Sequence, residues 1–134
     1  MEFPYQKEGS RIFGEIYRPI VEFEIETEEL GWTRILAYTD SGADVTLLPL
    51  SFIRALKIRV EEEDIKEIRG IGAGKISVII KEVRMKLVDK MFKAKVAIAL
   101  IEDVPYLLGR EDVFKHFEIC FRKNKVTSFE GVDM

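Results

Sequence analysis

Trp32-Thr33-Arg34-Ile35-Leu36-Ala37-Tyr38-Thr39-Asp40-Ser41-Gly42-Ala43-Asp44-Val45-Thr46-Leu47-Leu48-Pro49 is the stretch that decides how this chain folds. Its first part, 32–38, is rich in β-branched and aromatic residues and reads as a strand, which Thr39-Asp40-Ser41-Gly42 brings to an end. An acid at a strand end, followed by a hydroxyl, a glycine and a methyl side chain, keeps its carboxylate facing a cleft while other backbone comes close. Asp, Ser and Gly are also ordinary turn residues, so the tripeptide acquires meaning only from its surroundings.

Upstream, Val21, Phe23 and Ile25 alternate with Glu22, Glu24 and Glu26, the period of two that puts one face of a strand in the core and the other in water. The polar break at 27–31 turns the two runs into a hairpin, which delivers Asp40 at the tip of a strand. Downstream, Pro49 suits the start of a short helix over 50–56, and the acidic run 61–64 reads as a solvated loop or strand edge. Val83, Met85 and Leu87 alternate with Glu82, Arg84 and Lys86. Past Asp89-Lys90, the residues Phe92, Ala94, Val96, Ile98 and Leu100 repeat that spacing, giving two more strands. The run 117–121 is strand-like, and 126–130 closes the chain as a last strand. Between them, 110–116 opens with Glu111 and Asp112 and ends with Lys115 and His116, which matches a helix dipole, with Val113, Phe114 and Phe117 as its apolar side. The pattern predicts a mainly β fold with one short C-terminal helix, in a single domain over 1–134 with an N-terminal extension at 1–14 and a C-terminal one at 122–134.

Composition narrows the function classes. At 134 residues with 47% hydrophobic and 34% charged, the chain can bury one core without staples. A formal net charge of -3, with acids and bases interspersed, gives no electrostatic reason to expect nucleic acid or an anionic membrane as partner. Apolar runs such as 96–101 are too short to span a bilayer, and no basic-then-apolar pattern opens the sequence, so the expected location is the cytoplasm. The single cysteine, Cys120, reads as a packed small residue, and the single histidine, His116, as structural.

Two further stretches carry chemistry. Gly70-Ile71-Gly72-Ala73-Gly74 has alternate glycines, but a phosphate-cradling loop needs a helix behind it, and 76–80 is β-branched and reads as strand. What remains is a glycine-rich hairpin tip, either a plain turn or a flap over a cleft. Tyr106-Leu107-Leu108-Gly109-Arg110 is a short apolar strand, a glycine and an arginine at a strand-to-helix junction. The three features in this order are more specific than any one alone.

In that order they resemble the retropepsin-like aspartic proteases, over about 18–121. The family's Asp-Thr/Ser-Gly-Ala signature stands as Asp40-Ser41-Gly42-Ala43, its flap resembles 70–74, and its apolar-Gly-Arg motif resembles Leu107-Leu108-Gly109-Arg110. The resemblance implies an acid protease barrel in which Asp40 is catalytic, Ser41 braces the site through its hydroxyl, and Gly42 lines the substrate channel with its backbone. It further implies substrate contacts from Ala43, Asp44, Gly70, Ile71, Gly72, Ala73 and Gly74, and an ion pair between Asp44 and Arg110. Aspartic proteolysis needs two carboxylates sharing one proton, and this chain has one such loop. The expected assembly is therefore a homodimer about a two-fold axis, with a peptide or protein substrate and no cofactor or metal. A dimeric peptide-binding module with little turnover is the rival from another class. The chain departs from the retroviral members in its longer segments before Asp40 and after the expected helix.

Overall fold

The computed structural model describes residues 1–69 and 74–132. Three short strands come first: β1 (Glu2–Pro4), β2 (Gln6–Ser10) and β3 (Gly14–Arg18). β4 (Ile20–Thr27) then buries Val21, Phe23, Ile25 and Thr27 and turns its glutamates outward. It pairs antiparallel with β5 (Gly31–Thr39), where Val21 faces Ala37 and Phe23 faces Ile35. The tight turn between them is fastened by Thr27 Oγ1, which accepts the Leu30 N–H at 3.0 Å, and by Gly31 at φ 69°. After β6 (Thr46–Leu48) comes α1 (Ser51–Ala55), inside the expected 50–56. Within the acidic run 61–64, Glu62–Asp64 form a single exposed 3-10 turn rather than a strand edge. β7 (Ile65–Arg69), β8 (Lys75–Leu87), β9 (Lys90–Ala99), β10 (Leu107–Leu108), β11 (Phe117–Arg122) and β12 (Val126–Gly131) complete the chain.

The architecture is mainly β, as the alternation anticipates. Strands β4, β5, β10, β6, β9 and β8 are hydrogen-bonded in that order, and β8 closes back on β4 through Glu24 opposite Lys86 and Ile25 opposite Met85. The result is a six-stranded barrel. β8 can serve two neighbours on one edge because it is 13 residues long. Its first part pairs with β7, and its last part reaches β4. Phe23, Ile25, Ile35, Leu48, Met85, Leu87, Val96 and Ile98 fill the barrel. A smaller cluster of Leu47, Val78, Ala97 and Ala99 packs with Val45, Ile68, Ile76, Val104 and Leu107.

Two units stand outside the barrel. β1, β12 and β11 form a three-stranded sheet, so the two flanks set apart in the sequence are joined to each other, with Phe129 of β12 fully buried against Phe3 and Phe117. β2 and β3 pair only with one another.

One expectation is corrected. The stretch 110–116 is not an α-helix but a turn followed by a 3-10 helix, Phe114–His116. The cause lies at Asp112, whose φ of 63° is left-handed where an α-helix requires about -63°. Its carboxylate accepts the Lys95 N–H at 2.8 Å and pairs with Lys95 Nζ at 3.1 Å and Lys115 Nζ at 3.7 Å. The acids-first, bases-last order thus fastens a turn to β9 instead of complementing a helix dipole. Among the described residues no helix is long and apolar enough to cross a membrane.

Candidate active site

The candidate site is built where the chain passes over β10. That strand lies between β5 and β6, parallel to the first and antiparallel to the second, although β5 and β6 follow each other in sequence. Residues 40–45 must therefore bridge across it. The bridge is held by backbone bonds: Asp40 N–H donates to Leu108 O at 3.0 Å, Arg110 N–H to Ala43 O at 3.0 Å, and Glu111 N–H to Asp44 O at 2.8 Å. Within the loop, Ala43 N–H donates to Asp40 O at 3.1 Å, and Gly42 N–H donates to Asp40 Oδ1 at 2.9 Å. This last bond orients the carboxylate, and a Cβ at Gly42 would stand 3.3 Å from the same oxygen.

Gly109 is required here for space. A Cβ on it would overlap the Val45 carbonyl and lie 2.8 Å from the Thr46 nitrogen, so only a glycine lets β10 pass beneath the loop. Its N–H is buried and donates to Thr46 Oγ1 at 3.1 Å. Thr46 is fully buried and is a member of the site that motif reading missed, because its partner lies 63 residues away.

Asp40 is half-buried, Ser41 and Gly42 are exposed, and Ala43 is partly exposed. The Arg110 Nη2 pairs with Asp44 Oδ1, and the two side chains are 53% and 87% exposed in the single chain. An exposed pair of this kind contributes about 0–1 kcal/mol. Among the described residues no second carboxylate is hydrogen-bonded to Asp40, and no group of His, Cys, Asp and Glu is placed to hold a metal. Gly70, Ile71, Gly72 and Ala73 lie outside the described residues. Gly74 is exposed with φ 141°, and the segment is framed by β7 and β8, where Arg69 faces Lys75.

Tyr38 is a second residue that motif reading passed over. It lies on β5, two positions before Asp40 and next to the strand's last residue, Thr39. Its hydroxyl donates to Glu8 Oε1 at 2.9 Å, Arg18 Nε pairs with Glu8 at 3.2 Å, and the Arg18 guanidinium lies 5.4 Å from the Tyr38 ring centre. Burial, and then the Glu8 carboxylate, push the Tyr38 phenol above its ordinary value. The strand alternation was the available signal for Tyr38. Its partners on β2 and β3 had none. Two grooves of the single chain, one beside β1 and one beside α1, are lined by other residues.

No family model matches this chain, and no curated protein matches it. Among solved structures it is similar to the EIAV protease in complex with the inhibitor HBY-793, at 25% sequence identity, over 69% of this chain and 82% of that one, with a TM-score of 0.49.

Proposed function

We propose that this chain is an aspartic endopeptidase whose active site forms when the Asp40 loops of two copies meet about a two-fold axis. The observation that carries the reading is the Asp40 carboxylate, held at a strand end by backbone bonds and by the Gly42 N–H, with no second acid bonded to it among the described residues. The Asp40–Gly42 bond alone is that of an ordinary Asx turn; what favours the catalytic reading is that the loop bearing it is also fastened across β10 at 40, 43 and 44. A facing copy supplies the second carboxylate.

At close range the ionisation of one such acid strongly raises the pKa of the other, so over the active pH range the pair carries one proton. The ionised member takes a proton from water as the water oxygen bonds to the scissile carbonyl carbon. The protonated member gives its proton to the carbonyl oxygen. The carboxyl that took the water's proton then gives it to the amide nitrogen as the C–N bond breaks, while one hydroxyl of the tetrahedral carbon returns its proton to the other carboxylate, so the pair ends with one proton, as it began. The peptide lies extended and adds a strand through backbone hydrogen bonds, some of them to Gly42. Ser41 braces the two loops through its hydroxyl, and Ala43 and Asp44 border the channel. Activity is highest on the acidic side of neutrality and falls once both carboxylates ionise.

The test compares the protein with its Asp40→Asn variant on an unstructured protein substrate across pH, with fragments followed by mass spectrometry and assembly by sizing. Cleavage by a dimer is expected, and the substitution is expected to slow it by about 10²–10⁴-fold or more. Undiminished cleavage by the variant refutes the assignment. A dimer that never cleaves points to the peptide-binding module.

A further inference from the structure

We propose that the β2–β3 hairpin is a docking arm whose tip, Arg11-Ile12-Phe13, seats in an apolar groove of a second copy of this chain. The hairpin belongs to no larger sheet, and its strands are polar on both faces, with Ile16 and Glu8 among the few partly covered positions. It is anchored by Glu8 and Arg18 on Tyr38, and by Lys125, whose Nζ lies 4.0 Å from the Tyr17 ring centre. Nothing of this kind holds the tip. Ile12 is 82% exposed and Phe13 74%, the two most exposed large apolar side chains of the described residues.

The tip is nonetheless held in one shape. Ser10 Oγ accepts the N–H groups of Ile12 and Phe13 at 3.3 and 3.1 Å, Glu15 N–H donates to Phe13 O at 2.9 Å, and Gly14 takes a φ of 76°. Two apolar side chains are thus presented to solvent on a pre-shaped turn, which lowers the ordering cost of docking.

A receptor for them is on the same chain. A groove of about 550 Å³ is lined by apolar residues, among them Leu30, Leu36, Phe52 and Tyr106, and also by Thr33, Ser51 and Arg34, with Phe52 and Tyr106 edge to face at 6.2 Å between ring centres. Leu30 is 62% exposed and Leu36 45%. Glu28 and Glu29 immediately precede Leu30 and are exposed. Arg11 makes no ion pair among the described residues, and neither does Glu28. Glu29 is paired with Arg54 at 3.6 Å and Arg34 with Glu22 at 2.6 Å, so Glu28 is the rim charge left to meet Arg11 while Ile12 and Phe13 meet the apolar lining. Tip and groove are both open within one chain, so the match is made between chains. A two-fold axis satisfies both copies at once, since each carries one tip and one groove. The inference extends the two-copy assembly proposed above and rests on it, but not on catalysis.

The experiment uses the full chain with Cys120→Ser as background. A Phe13→Cys chain and a Leu36→Cys chain are mixed and treated with a short thiol-reactive cross-linker. The expected result is a mixed covalent dimer, with little product from either variant alone. In parallel, Arg11→Glu is expected to weaken self-association at least tenfold by sedimentation, and Glu28→Arg with Glu29→Arg in the same chain to restore it. Circular dichroism checks that every variant is folded. A chain that sizes as a dimer but gives no mixed product, or whose Arg11→Glu variant associates unchanged, overturns the arm and leaves the Asp40 pairing standing. A chain that is a monomer throughout overturns both.

Discussion

Gly109 lies where the Asp40 loop crosses β10, and the space for a side chain there is already filled by the backbone of Val45 and Thr46. Backbone cannot swing aside as a flexible side chain can, so Gly109→Ala must lift the loop or displace β10. The expected loss is about 1–3 kcal/mol of stability, read as a lowered denaturation midpoint, and a variant as stable as the parent would show that the crossing is looser than described. At this scale the sequence divides cleanly into what was local and what was not. The position of Asp40 at a strand end follows from neighbours along the chain, so Asp40-Ser41-Gly42 could be singled out from the residues alone. The bond from Gly109 to Thr46 and the contact of Glu8 with Tyr38 join residues far apart in sequence, and no periodicity announces them.

Among the elements, β4, β8 and β9 were legible because each has one wet face and one dry face for most of its length, which is what alternation encodes, and β5 was legible from its β-branched and aromatic residues. The stretch 110–116 misled because its charge order suits a helix dipole, whereas the charges serve a tertiary contact: Asp112 is spent on Lys95 and Lys115. β1 to β3 left no trace in the pattern, since β1 is short and β2 and β3 have no dry face. The sheet of β1, β12 and β11 earns its place through one side chain in particular. Phe129 is completely buried, with Phe3 and Phe117 each 5.6 Å away between ring centres. Phe129→Ala is expected to cost about 3–5 kcal/mol, by denaturant titration. Phe3→Ala should cost less, because Phe3 is only partly buried. Equal losses for the two would place the weight of this sheet elsewhere.

For the molecule as a whole, acid is the condition most directly tied to its charges. His116 stacks against Phe92 at 4.2 Å between ring centres. Burial first, then Lys115 and Lys90, hold its imidazole below the ordinary 6.5, with Asp112 opposing them. A histidine with a lowered value in the fold contributes stability that is full above 6.5 and is lost as pH falls from there toward the folded value, because the unfolded chain takes the proton first. Asp112 is likewise held below its ordinary 3.8, chiefly by the Lys95 N–H, and its contribution is lost in the same direction below that pH. Stability is therefore expected to decline in a first step below pH 6.5 and again below about 3.8. His116→Phe should remove the first step while leaving the second. A parent whose urea midpoint is flat between about pH 7.5 and 5.5 would contradict this account of His116.

The pairing of β1 with β12 reaches further than the sheet it makes. Because Glu2 lies opposite Ser128, the first and last described strands are side by side. A handful of added residues would span from one to the other, and the polypeptide could be reopened at the Val88-Asp89 turn between β8 and β9 with every strand pair kept. The order in which the strands are written is thus one of several that would pack the same barrel, and a permuted gene could carry its ends wherever a fusion partner needs them.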